Sequence, residues 1–471
     1  MPFNSLNFLL FAITFFAAWP ALKSSTRIRW VYLTLASFVF YGWWSWKYLL
    51  LLIGIGLIDF SVALAMARWP ARKKALLILG LSSNIFALVI FKYSNFVIEN
   101  INFAYSILGT SYHLPIYDIV LPLGLSFYTF QAMSYLIDVY KNEFKPVKNV
   151  TLFFTYLALF PHILAGPIIR ASDLLPQLQK RPKTSWTMLW SGTVLITEGL
   201  FKKMLIADVL APVVGQAFSA ASPESSALYW WSIMLMFTFQ IYGDFSGYTD
   251  IARGLANWMG YEYPLNFNHP YCATSFKDFW GRWHISLSTW FRDYVYIPLG
   301  GNRKGRLRAH INMWITMLVS GLWHGAAWTF ILWGAVHAAY LSIERETRWD
   351  QKIIKKIHLD LLNICCVFIF VLIAWVFFRS QSAHQALDII TIMFTKWPTI
   401  EPAKQLFSTQ YKTIVVLIFA FSFEIIYKLK IQHWSPVYRT RIIWEPLMIA
   451  FGIILAILFR GPGNEFIYFQ F

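Results

Sequence analysis

Ten apolar runs of roughly bilayer-spanning length, separated by short basic loops, dominate this chain of 471 residues. A spanning helix needs about 20 mostly apolar residues. The runs fall near 6–22, 30–46, 48–66, 75–97, 119–139, 187–213, 228–243, 361–378, 413–427 and 443–459. Only 13% of the residues are charged and 58% are hydrophobic, whereas soluble domains carry about 25% charged residues. The chain therefore reads as an integral membrane protein. Its abundant Phe, Trp and Tyr suit interfacial belts and tightly packed helices.

The excess of 40 Lys and Arg over 23 Asp and Glu would suggest nucleic acid in a soluble protein. Here the cations sit between the apolar runs, so the positive-inside rule accounts for most of them and nucleic-acid binding is excluded. Lys23/Arg27/Arg29, Arg68/Arg72/Lys73/Lys74 and Lys141/Lys145/Lys148 fall on one side, while 98–118 has no Lys or Arg. That alternation orients the first five spans. The first run has no Lys or Arg before it and three after it, the reverse of a cleavable signal peptide. We therefore expect an uncleaved first span with a periplasmic N-terminus, in a multi-pass protein. Cys272, Cys365 and Cys366 have no metal-ligand spacing, and a bridge between the adjacent pair would be strained.

Two further apolar runs, 150–169 and 311–341, are irregular. The first lies between two basic loops and contains Pro161, His162, Gly166 and Pro167, which break a helix. Backbone of that kind is tolerated at membrane depth only where protein or a water-filled cavity satisfies it, so a re-entrant element is expected. The second lies between Arg303/Lys304/Arg306/Arg308 and Arg345/Arg348/Lys352. It reads as a helical hairpin broken at Ser320-Gly321 through Gly325, with His324 beside the break. A polar, titratable ring at membrane depth is costly unless it is paired or lines a cavity, so His324 is a candidate functional residue. Hydrogen bonding to a neighbouring helix for packing is the plainer alternative. Segments 214–226 and 380–411 carry loop signals. No repeat and no long soluble insertion appears, so 1–471 is expected to form a single membrane domain.

The densest polar stretch, 244–309, separates the run ending near Tyr242 from that starting near Ile311. It holds Asp244, Ser246 and Asp250, then Asn266 to Tyr271, then Ser275 to Tyr294. Phe279, Trp280, Trp283, Trp290 and Phe291 interleave there with Lys277, Arg282 and Arg292, which suits amphipathic helices in the cytoplasmic interface. An interfacial role does not explain why His284, Ser286, Ser288 and Asp293 share so short a segment.

These blocks together resemble the membrane-bound O-acyltransferase family, in particular its bacterial branch that acetylates cell-envelope polysaccharides such as alginate. The resemblance rests on Asp244–Asp250, on Asp278–Gly301 with its Trp283-His284-Ile285-Ser286-Leu287-Ser288-Thr289-Trp290 core, and on Ser320–His324. Trp375–Arg379 and Glu465–Phe471 extend it. It implies an all-α polytopic fold of about 10–12 spanning helices with re-entrant or broken helices around a central tunnel, in the bacterial inner membrane. It places the family's near-invariant histidine on His324 and a second, more variable polar position on His284. Trp323, Asp244, Ser246, Arg282, Trp283, Ser286, Arg292 and Asp293 are the candidate donor- and substrate-binding residues. No bound cofactor or metal is expected. Acetyl-CoA is the expected donor, and an envelope polysaccharide or a periplasmic acetyltransferase is the expected partner.

A thioester is already activated, so acetyl transfer needs a base, donors for the developing oxyanion, and exclusion of water. Neutral imidazole is a competent base near pH 7, which suits His324. Trp323 or His284 would donate to the oxyanion or orient the ring. Arg282, Arg292, Arg303, Lys304, Arg306 and Arg308 suit coenzyme A phosphates, although topology explains most of them. A serine hydrolase is disfavoured: Gly243-Asp244-Phe245-Ser246-Gly247 has the wrong spacing and Ser126 lacks the second glycine of the nucleophile elbow. ATP-driven transport is unsupported without a Walker A motif. Acetylation of peptidoglycan, or a transporter using buried histidines as a relay, are the alternatives.

Overall fold

The computed structural model of the chain describes residues 1–349, 359–428, 441–458, 461, 463, 466 and 467. Among these residues there are helices and no strands. Lys352, position 459 of the last apolar run, and Glu465 and Tyr468–Phe471 of the terminal block lie outside the described residues. The chain forms two compact units, Met1–Thr193 with Ala252–Pro264 and Val194–Ile251 with Leu265–Phe471.

The first unit holds α1 (Leu6–Leu22), α2 (Thr26–Gly42), α3 (Trp46–Arg68), α4 (Lys73–Leu88), α5 (Ser94–Ile107), α6 (Leu125–Tyr140), α7 (Val150–Ala158) and α8 (Ala171–Gln179). The run at 150–169 breaks where its prolines lie. Helix α7 stops at Ala158, and the chain turns through 160–166 with every residue from Leu152 to Ile169 buried. Protein satisfies that backbone: the Phe160 N–H donates to Ser37 Oγ at 3.0 Å, and the Gly166 N–H to His162 O at 3.1 Å. Arg29, counted among the topology-setting cations, is fully buried. Its guanidinium donates to the carbonyls of Lys23, Leu178 and Lys180, which satisfies the C-terminal end of α8.

In the second unit, α9 (Trp186–Phe201) continues through a π-turn, Lys202–Ala207, into α10 (Asp208–Ser219). Then come α11 (Ala227–Met259), α12 (Phe276–Trp280), α13 (Ile285–Phe291), α14 (Arg306–His324), α15 (Trp328–Thr347), α16 (Leu359–Arg379), α17 (Ala383–Thr395), α18 (Glu401–Thr409), α19 (Tyr411–Lys428) and α20 (Arg441–Leu458). Helices α9 and α11 each contribute residues to both units.

The run at 311–341 is an antiparallel hairpin of α14 and α15. Its backbones approach so closely that a Cβ on Gly321 would sit 2.2 Å from Phe330 O, and one on Gly334 would sit 2.4 Å from Met317 O. Only glycine permits that contact. The helix continues through Ser320-Gly321 and breaks at 325–327, at the far end of the expected stretch, so His324 is the last residue of α14.

Three expectations are corrected. The run at 228–243 does not end at Tyr242: α11 continues through Asp244–Asp250 to Met259, because Lys203 and Lys202 neutralise the carboxylates that resemble the end of a span. The aromatics of 276–291 do not form an interfacial belt. Phe279, Trp283, Trp290 and Phe291 are buried in the second unit, packed on one another and on Trp375. Segment 380–411 is not a loop but α17 and α18, whose Ala386, Ile389, Met393, Ala403 and Leu406 turn inward. By length and composition, Trp46–Arg68, Pro70–Ile107 and Asp360–Arg379 are long and apolar enough to cross a bilayer, in keeping with a polytopic membrane protein.

Candidate active site

His284 stands where the chain turns from α12 into α13, in the left-handed region at φ 42° and ψ 56°. A non-glycine residue stays there only when its surroundings over-determine it. Asn266 does this. Its main-chain carbonyl accepts from the Ile285 N–H at 2.9 Å. Its side-chain Oδ1 accepts from the Ser286 N–H at 3.1 Å and from Ser286 Oγ at 2.8 Å, which caps α13 from outside. The same oxygen lies 3.3 Å from His284 Nδ1.

This geometry fixes the imidazole. A backbone N–H can only donate, so the Asn266 atom facing Ser286 is the carbonyl oxygen. The ring nitrogen beside that oxygen must then carry the proton, which leaves Nε2 of the neutral ring as an acceptor. His284 in this tautomer takes a proton at Nε2 and does not donate one there, so the oxyanion-donor role considered for it does not fit the neutral ring.

His324 is 2% exposed, at the end of α14. Its ring packs edge-on against Trp323 at 5.0 Å, Trp333 at 4.9 Å and Phe378 at 5.3 Å. Trp323 also meets His284, with centroids 6.1 Å apart, and so lies between the two histidines. On the far side Trp333 meets His337 at 4.9 Å. The result is a row of five rings, His284–Trp323–His324–Trp333–His337, supplied by the α12–α13 turn and the α14–α15 hairpin. Trp333 in this row and Trp375 of α16, whose rings stack 5.9 Å apart, each carry an indole Nε1 donor with no hydrogen-bond partner in the protein. Both nitrogens of His337, which is fully buried, are in the same position. A buried donor left unfilled calls for an explanation, such as a ligand or a water.

The remaining candidates divide. Trp283 is fully buried against Phe279, Phe267 and Trp375, and serves the core beneath His284. Ser286 is held by Asn266, and Ser246 is buried on α11 with no partner for its Oγ. Arg282 is committed to Asp278 at 2.8 Å and to the Asn268 carbonyl at 3.3 Å. Arg292 and Asp293 pair with each other at 2.6 Å, the arginine largely exposed. Asp244 is buried elsewhere. It takes one contact from Lys203 at 2.8 Å, which also meets Asp208 at 2.8 Å, and accepts from the Ile467 N–H at 2.6 Å.

Lys203, Asp208, Gln240, Asp244, Arg379 and Ile467 belong to the wall of a cavity of about 250 Å³. Neither His284 nor His324 is in that wall. Sequence reasoning missed Asn266 as the residue that sets His284, although it stood inside a quoted polar block. It also missed Trp333 and Lys203. A lysine pair within an apolar run was the available signal for Lys203. No local pattern distinguishes Trp333 from the other 22 tryptophans.

Comparison with known proteins bears on this arrangement. The model of the MBOAT, membrane-bound O-acyltransferase family, matches residues 147–383. The chain is 37% identical over 429 residues to a probable alginate O-acetylase, AlgI, of Pseudomonas putida, covering 90% of this chain and 87% of that one. It is 36% identical over 391 residues to a peptidoglycan O-acetyltransferase of Helicobacter pylori, covering 76% and 72%. A teichoic acid D-alanyltransferase of Streptococcus thermophilus is 31% identical over 250 residues, covering 50% of this chain and 59% of its own.

Proposed function

The chain belongs to the membrane-bound O-acyltransferase family, and from that we propose that it moves acetyl groups from cytoplasmic acetyl-CoA to a hydroxyl of a cell-envelope glycan. It is an O-acetyltransferase of the membrane. Transfer is either direct or through a periplasmic partner that completes it. The names of its relatives support an envelope glycan, alginate or peptidoglycan, as acceptor.

The observation that carries this reading is His324: a titratable ring at the end of a broken helix, enclosed by aromatic rings, with unfilled indole donors beside it. Packing alone would be served as well by phenylalanine. In the proposed reaction His324 takes the proton of the attacking hydroxyl as its oxygen bonds to the thioester carbonyl carbon. The carbonyl becomes an oxyanion, and the indole N–H groups of Trp333 or Trp375 supply donors for it. The intermediate collapses with loss of the C–S bond, and the imidazolium returns its proton to the departing thiolate. A positioned base contributes on the order of 10²–10⁴-fold, and each oxyanion donor about 10²–10³-fold. His284, presenting Nε2 as an acceptor, supports the same proton transfer from the other side of Trp323.

The test is the O-acetyl content of wall and exopolysaccharide fractions from a deletion strain complemented with wild-type or His324→Ala protein. Ester restored by wild type and absent with His324→Ala, at equal protein levels, is the expected result. Unchanged ester with the variant would remove the enzyme reading at this residue.

A further inference from the structure

Three rings close on one another beside His324. Trp333 lies 5.9 Å from Trp375 and 5.4 Å from Phe378, and Trp375 lies 5.1 Å from Phe378. Trp333 and Phe378 also touch the imidazole edge-on, at 4.9 and 5.3 Å. None of the three is more than 1% exposed. A second layer holds them in place. Trp280 meets Trp333 at 5.7 Å, and Phe330 meets Phe378 at 4.9 Å with the ring planes at 90°. Phe330 in turn lies on the helix break that follows His324, so close that a Cβ on Gly325 would collide with its ring. Rings interlocked at this density have no free volume to swing into.

The triangle is not uniform. Trp333 and Trp375 each carry an indole donor without a partner in the protein, whereas Phe378 presents only carbon. The reacting carbon of a thioester carries an oxygen, a sulfur and an acyl chain. Its oxygen calls for a hydrogen-bond donor as charge develops there. The chain calls for an apolar wall, because carbon set against an unfilled indole N–H would leave that donor unpaired. The reaction above uses the indoles and leaves Phe378 without a part.

We infer that Phe378, backed by Phe330, sets the acyl-chain limit of the site: its ring meets the methyl end of an acetyl group and excludes longer chains. This rests on the proposed function for the identity of the donor, but its test reads binding and does not need turnover. One methylene more or less in a closed apolar pocket changes discrimination by roughly 10–200-fold. Purified full-length protein in nanodiscs is titrated with unreactive acetyl- and butyryl-CoA analogues in which a methylene replaces the thioester sulfur. Wild type should bind the acetyl analogue more tightly than the butyryl one by about tenfold or more. Phe378→Ala should bring the two within about threefold of each other, and Phe330→Ala should relax the preference in part. Phe378→Leu, which keeps a branched side chain in the core, should narrow the ratio as well and serves if the alanine variant does not fold. The inference is overturned if wild type binds neither analogue, if it binds both equally, or if folded Phe378→Ala or Phe378→Leu keeps the full preference. Consumption of acetyl-CoA is read separately: the preference without turnover would count against the proposed function alone.

Discussion

At the scale of single residues, the chemistry depends on which nitrogen of which histidine faces it. Asn266 is a positioning residue: it sets the His284 tautomer and caps α13 through one oxygen. Asn266→Asp keeps an acceptor for both N–H groups and should retain most activity. Asn266→Ala removes the acceptor, and should lower kcat with little change in KM and shift the pH profile of kcat. A merely structural role would instead lower the folded yield and leave the profile of the surviving protein unchanged. His324→Ala should cost on the order of 10²–10⁴-fold in rate, and His284→Ala less. Equal and complete loss in both would make the two a functional pair. His324 was legible in the sequence because an imidazole beside a helix break in an apolar run is conspicuous, whereas His337 in the same run has no break beside it. The roles of Arg282, Arg292 and Asp293 were not. Their charges are neutralised by Asp278 and by each other, and whether a surface charge is already paired depends on the fold.

At the scale of elements, the α14–α15 hairpin presents His324 and Trp333 side by side. Its close approach depends on Gly321 and Gly334, each facing a backbone carbonyl across the pair. Gly321→Val or Gly334→Val would force the helices apart, an overpacking cost of about 1–3 kcal/mol or more. Thermal unfolding in detergent should show a lowered midpoint with activity lost together with it. An unchanged midpoint would contradict the packing described. The breaks at 160–166 and 325–327 were readable because proline and glycine interrupt apolar runs there. The length of α11 was not readable. Asp244 and Asp250 look like the end of a span until Lys203 and Lys202 meet them at 2.8 and 2.7 Å, and those lysines come from another helix some forty residues earlier. Helices α17 and α18 were hidden for a related reason: each is short and buries only one side.

At the scale of the whole molecule, the net charge of +17 follows from cations that sit between the apolar runs, as the positive-inside rule expects. The Lys- and Arg-free segment 98–118 and the uncharged start of the chain are both expected outside. A protease-cleavable tag on the N-terminus should be cut in intact spheroplasts, and cutting only after permeabilisation would reverse the assigned orientation. The class of protein was legible from composition because membrane burial leaves few charged residues. The cavity was not, because its wall combines the Lys202–Ala207 turn, α10, α11, α16 and Ile467. The central claim is that the His324 imidazole acts chemically and does not merely fill space. The most direct measurement is the rate of acetyl-CoA consumption by purified protein in nanodiscs with acceptor present, wild type against His324→Phe. The substitution keeps an aromatic ring among Trp323, Trp333 and Phe378 and removes the base. The expected result is a folded protein with the rate reduced at least a hundredfold; a folded His324→Phe protein that turns over as fast as wild type would show that the imidazole does no chemistry.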